Sequence, residues 1–153
     1  SAGKEKQGKM SVTVIEDNSD KVAEELRARI NKALEICGLT AENYAKKLCT
    51  VDTGLLRNSI THALAGEPAA ISTYSADKAK GNKPVQTGEY SGSAPEESDP
   101  SKMAVYIGTN VEYAPYVELG TVAQQAKPFL KPAAADHASQ YRGTIEQVLK
   151  GEL

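Results

Sequence analysis

The chain has 153 residues, 40 % of them hydrophobic but only 5 % aromatic, with no Trp, one Phe and a formal net charge of −2. That length suits one domain with one core, which must be built from Ala, Val, Leu and Ile with some Tyr. The charge balance excludes the clustered basic face of a strong nucleic-acid binder, and no apolar run approaches the length of a membrane span. A signal-peptide core is also missing, so a soluble protein is expected. Large rings contribute the largest buried areas, so a core this poor in them gains from oligomerisation.

Ser1–Lys9 is polar and lysine-rich, and residues 1–10 read as a flexible arm or tag remnant ahead of a single domain over 11–153. Ser11-Val-Thr-Val-Ile15 has the β-branched enrichment of a short strand or extended lead-in. Asn18, Ser19 and Asp20 offer helix N-caps. Val22, Leu26, Ile30, Ala33, Cys37, Ala41, Tyr44 and Leu48 then recur at spacings of three or four, one face of a helix of about 43 Å. Gly38 weakens its interior by about 1 kcal/mol relative to Ala; a break there, with Thr40 capping a second helix, is the other reading. Cys37 and Cys49 lie about 18 Å apart along such a helix, too far for a disulfide. They read as small buried hydrophobes in a reducing cell.

Val51-Asp52-Thr53-Gly54 closes the long helix, with Asp52 expected to accept bonds from the backbone N–H groups after it and Gly54 to take a positive φ. Leu55, Leu56 and Arg57 form a helical turn ahead of a strand over Ser59–Leu64, where Ile60, His62 and Leu64 alternate with Ser59, Thr61 and Ala63. Further strands are expected at Ala70–Tyr74 and Met103–Thr109. Ser75–Lys102 nearly lacks aliphatic residues and holds Gly81, Pro84, Gly88, Gly92, Pro95 and Pro100. It is basic first (Lys78, Lys80, Lys83) and acidic later (Glu96, Glu97, Asp99). Such a segment cannot form a packed core of its own. It reads either as a solvated loop or as a mobile hairpin arm, 75–102, that orders on a neighbouring subunit or partner.

Asn110 turns the chain into a short helix with Pro115 in its first turn and Gly120 at its left-handed C-terminal position. Phe129 and Leu130 make an apolar anchor, and Pro132 opens the last helix at its first position. Ala134, Ala138, Tyr141, Ile145 and Val148 form a narrow seam suited to a helix or a neighbouring subunit, and Gly143 weakens its middle. The fold class expected is α+β. A long N-terminal and a C-terminal helix pack on a small, mostly antiparallel sheet with a long flexible hairpin arm.

Three stretches in fixed order carry the strongest pattern. The first runs through Asp52, Thr53, Gly54, Leu56, Arg57 and Ser59. The second holds Tyr113, Ala114, Glu118, Gly120 and Thr121, and the third Pro128, Phe129, Leu130, Pro132 and Ala133. The pattern resembles the tail-completion (head–tail joining) proteins of long-tailed bacteriophages, minor tail or minor capsid components, from about Val12 to the C-terminus. The resemblance implies a structural virion protein, not an enzyme, with no cofactor or metal. It implies a homo-oligomeric ring, expected to be a hexamer, at the neck–tail junction, assembled in the host cytoplasm. The neck or head-closure protein would meet one face and the tail tube or tail-terminator protein the other. Double-stranded DNA would pass through the lumen without sequence-specific binding, and no membrane is involved. The alternative within this class is a tail-terminator or capsid-associated component.

Readings from other classes are weaker. Asp52-Thr53-Gly54 is the triplet of retroviral-type aspartic proteases, in which each of two subunits gives one carboxylate. Here it follows a long helix, Leu55 stands where that family carries Ala, and no later Gly-Arg/Asn-Asp strand end exists, so a turn cap is favoured. A DNA-binding module lacks the basic charge. His62 and His137 have no ligand partner at metal spacing, and neither Ser59 nor Ser72 sits in a nucleophile elbow. Tyr106, Tyr113, Tyr116 and Tyr141 suit interface anchors or half-buried core positions. Glu118 lies near a helix C-terminus, where the dipole disfavours an anion; Arg57 is its expected partner.

Overall fold

The computed structural model describes residues 9–99 and 101–152, and for residues 9–20 the backbone alone. Ser1–Gly8, read as an arm, and Pro100 lie outside the described residues. Helix α1 (Lys9–Leu48) is one uninterrupted helix of 40 residues, about 60 Å long. It runs through both Ser11–Ile15 and the three expected caps, so neither the lead-in strand nor a helix start near residue 20 is found. Asn, Ser and Asp each cost a helix no more than about 0.7 kcal/mol, and β-branched enrichment is a weak preference. Extending an existing helix adds a hydrogen bond per residue without a new nucleus.

Along α1, Ala33, Cys37, Ala41 and Ala45 are buried, as is Cys49 just past its end. Small side chains at these spacings let other elements approach the helix backbone closely. Gly38 carries this furthest, because a Cβ there would lie 2.6 Å from Val105 Cγ2 and 2.9 Å from His62 Cδ2. Both cysteines are free, and burial pushes the Cys49 thiol up to about 11. Upstream, residues 21–29 are exposed on every side of the helix.

Helix α2 (Leu55–Ser59) follows a tight turn. Strand β1 (Thr61–Leu64) then pairs antiparallel with β4 (Val105–Gly108), Thr61 opposite Gly108 and Leu64 opposite Val105. Strand β2 (Thr73–Ser75) pairs with β3 (Thr87–Glu89). The expected single sheet is thus two small ones. Segment 75–102 contributes β3 and buried Ala76, and its base is bonded through Ala76 N to Gln86 O (2.8 Å) and Ala94 N to Glu67 O (2.9 Å). Residues 77–87 form its exposed tip.

Helix α3 (Ala114–Leu119) has Pro115 in its first turn. The last helix is divided into α4 (Leu130–Ala135) and α5 (Ala138–Leu149). Pro132 is therefore the third residue of α4 and not the opening one, still within the turn whose N–H groups have no intrahelical acceptor. The break at Asp136–His137 resets the helical phase. Ala133 is buried in place of the expected Ala134, Ala138 is exposed, and the seam resumes with half-buried Tyr141 and Ile145 and buried Val148. His137 sits at the break, stacked on Tyr44 with ring centroids 3.6 Å apart. Helix α5 returns antiparallel along α1: Cys37 Sγ donates to Tyr141 O (3.6 Å) and Arg29 Nη1 to Leu149 O (3.4 Å). Among the described residues no helix is long and apolar enough to cross a membrane.

Candidate functional site

The three sequence stretches meet in one core cluster. Phe129, fully buried, shares it with Leu55, Leu56 and Ile60 after the first turn, Val111 and Ala114 beside α3, Ala133 of α4, Ala45 of α1 and Cys49 just past the end of α1. Distant stretches thus share one core. Pro128 and Thr121 stay on the surface, Tyr113 is partly exposed, and Leu130 and Pro132 are half-buried.

The polar residues of the first stretch tie α2 to the base of the hairpin arm. Thr53 O accepts from Asp77 N at 2.8 Å, and Asn58 Nδ2 donates to Ser75 O and Asp77 Oδ1, both at 2.8 Å. Arg57 pairs with Asp77. Gly54 has the expected positive φ, 89°. Asp52 is not the cap: its exposed carboxylate takes the Lys80 ammonium at 2.7 Å, which lowers its pKa. Thr53 Oγ1 accepts from Leu55 N instead (3.4 Å). Ser59 Oγ donates to Leu56 O and meets Thr109 Oγ1, both at 2.6 Å, while Tyr90 OH donates to Ser59 O.

The expected Arg57–Glu118 pair does not form. The Glu118 carboxylate accepts backbone N–H bonds from Phe129 (3.0 Å), Leu130 (2.9 Å) and Lys131 (3.2 Å), the amides that open α4. The anion disfavoured at the end of α3 is held by the orphan donors at the start of α4. A partner eleven to thirteen residues ahead on the backbone has no side-chain signature, so the residue types alone point to a cation.

Gly120 makes this return possible, with φ 78° and ψ 173°, a region essentially reserved for glycine. It is not the left-handed helical position expected. A Cβ there would sit 2.7 Å from Ala126 N and 3.0 Å from Gln124 O, both backbone atoms unable to move aside alone. Gly120→Val is expected to cost about 3 kcal/mol, whereas Gly143→Ala, with open space around it, gains up to about 1 kcal/mol. Thermal melting of both variants checks this; a Gly120→Val protein as stable as the parent contradicts it.

His62 has partners that spacing rules did not reveal. Its Nδ1 lies 2.9 Å from Glu42 Oε1 and its Nε2 2.5 Å from Glu35 Oε1, with Lys46 Nζ on Glu42 at 3.1 Å. Glu35 and Glu42 are seven residues apart, two turns along one face of α1, and that was the missed signal. The Glu42 hydrogen bond raises the His62 pKa; burial opposes this and Glu35 adds to it. Burial works against ionising Glu42, but His62 and Lys46 outweigh it and hold its pKa below the usual value. The imidazolium therefore stabilises the fold fully below its ordinary value of 6.5 and is lost as pH rises through its raised folded value. Glu42 contributes above 4.5 and is lost as pH falls through its lowered value. Melting temperature should fall as pH rises from about 6.5 through the raised folded value of His62, and this slope should flatten in His62→Gln. Parallel slopes in the two proteins count against it.

At the surface, Val51, Leu55, Lys80, Tyr113, Tyr116 and Gln124 help line a cleft of about 530 Å³ between the first turn and α3. Leu119 and Val122 are exposed beyond it. The signature residues thus form the wall behind an apolar surface, and the family comparison fits that arrangement. The matching family model is HK97-gp10-like, described as "Bacteriophage HK97-gp10, putative tail-component", over residues 13–120. It takes in the first stretch and the second up to Gly120, and ends ahead of Thr121 and Phe129. No curated protein and no solved structure matches the chain. With most of its length under that model, and with the matched motifs forming one core, the chain belongs to the HK97-gp10-like family of phage tail-associated structural components.

Proposed function

We propose that this protein forms a closed ring at the head–tail junction, completing the tail and joining it to the neck around the DNA channel. The observation that carries this reading is the disposition of the signature residues. Their polar groups are engaged within the chain: Asp52 by Lys80, Arg57 by Asp77, and Glu118 by three amides. Their neighbouring apolar side chains Val51, Tyr113 and Tyr116 face outward. That is a scaffold presenting surfaces rather than a site presenting reactive groups, so the role is assembly without chemistry. A six-membered ring suits the neck of a long-tailed phage, with a neck protein on one face and a tail-tube or terminator protein on the other. The exposed tip 77–87 supplies a further contact toward either ring. The net charge of −2 suits a lumen through which DNA slides without adhering.

Native mass spectrometry of the purified protein, alone and with neck and tail-tube proteins, tests the reading. A single closed oligomer, formed alone or on a partner, is expected. A protein that remains monomeric under both conditions overturns it.

A further inference from the structure

We infer that the outer edge of β3 in one copy adds to the outer edge of β4 in the next, joining the two small sheets across the subunit boundary. The inference rests on the ring reading above. Register fixes which backbone groups point outward. Ala65 N donates to Ala104 O (3.0 Å), so Ala63–Tyr106 and Thr61–Gly108 are the bonded pairs of β1 and β4. The N–H and C=O groups of Val105 and Ile107 therefore face away from β1. In the other sheet, Ala76 N donates to Gln86 O and Tyr90 N to Ser72 O, both at 2.8 Å. That turns the backbone groups of Val85, Thr87 and Glu89 outward.

The chain itself closes the outer edges of the other two strands. On β1, His62 O accepts from Ala70 N (2.9 Å), and on β2, Ser75 O accepts from Asn58 Nδ2 (2.8 Å). On β3, Glu89 O accepts from Asn110 Nδ2 (2.8 Å), but the outward groups of Thr87 have no partner among the described residues. Neither do those of Val105 and Ile107 on β4. Val105 and Ile107 are half-buried, where an unpaired amide is costly. An open edge is a template for another strand, and what it takes is an extended backbone with the same two-residue repeat. Val85 and Thr87 supply that repeat, and β3 and β4 do not pair within the chain. Each subunit holds two two-stranded sheets, and two strands alone are marginal; joining them end to end in the order β1-β4-β3-β2 removes that weakness. Val85, 45 % exposed in a polar tip, gains cover, and the tip before Pro84 stays free. Two different edges make a heterologous, ring-closing contact, whereas an edge meeting its own copy would stop at a dimer.

Thr87→Pro tests the contact, because it removes an N–H that the chain's own hairpin does not use, on an edge where Pro is tolerated. Association followed by sedimentation should weaken about tenfold or more, with one ladder bond lost and the Pro ring in the path of the incoming strand. The melting temperature of the subunit should stay that of the parent, and Thr87→Val, which keeps the N–H, should associate like the parent. Hydrogen exchange in the unaltered protein is the second measurement. The Thr87, Val105 and Ile107 amides should exchange faster at dilutions where the protein is monomeric and gain protection together in the oligomer. If Thr87→Pro melts below the parent, the exchange measurement decides. A closed ring of Thr87→Pro at parental affinity, or amides that exchange equally in ring and monomer, overturns this contact and leaves the ring reading intact. A chain that never associates, alone or with neck and tail-tube proteins, removes both.

Discussion

Phe129→Ala is expected to lose about 4 kcal/mol of folding stability and on the order of 10 °C in melting temperature. Phe129 is the chain's one Phe and is fully buried. The core cluster it belongs to is rich in small side chains: Ala45, Ala76, Ala114 and Ala133 have no rotamers with which to refill the space. The cavity term should therefore be near its upper range. The loss should also loosen the Phe129 and Leu130 amides from Glu118, since the ring anchors the turn that presents them. Chemical denaturation of Phe129→Ala beside Leu130→Ala, a half-buried neighbour, checks the claim. Equal losses, or a Phe129→Ala cost below about 1 kcal/mol, contradict it.

Gly38→Val should cost about 3 kcal/mol, and Gly38→Ala about 1–2 kcal/mol, although helix propensity alone favours Ala over Gly by about 1 kcal/mol. The added Cβ lands on Val105 Cγ2 and His62 Cδ2, and neither yields easily. Val105 is β-branched and stiff at χ1, while His62 is held from both sides by Glu35 and Glu42. Val105→Ala in the Gly38→Ala background should recover at least half of the loss, since the two positions are in contact. A Gly38→Ala protein more stable than the parent means the helix and sheet separate there at no cost.

The sequence alone determined the features whose cause is local. The 3.6-residue stripe from Val22 onward made α1, Gly54 supplied the positive φ after it, Pro115 opened α3, and β-branched alternation marked β4. The α+β class was legible from the local patterns and the phage tail family from three different motifs that follow one another in a fixed order along the chain. Features that depend on what lies across space were decided only by the tertiary structure. Glu118 found three backbone amides and not Arg57, because helix ends expose donors that carry no residue code. Arg57 went to Asp77 and Asp52 to Lys80, since the hairpin base folds over the first turn. Gly38 read as a weak point in a helix and is a point of closest approach, a distinction set by Val105, sixty-seven residues further along. Periodicity shows that a face is apolar; only the fold shows how far along α1 that face is covered, and it leaves Val22 and Leu26 open.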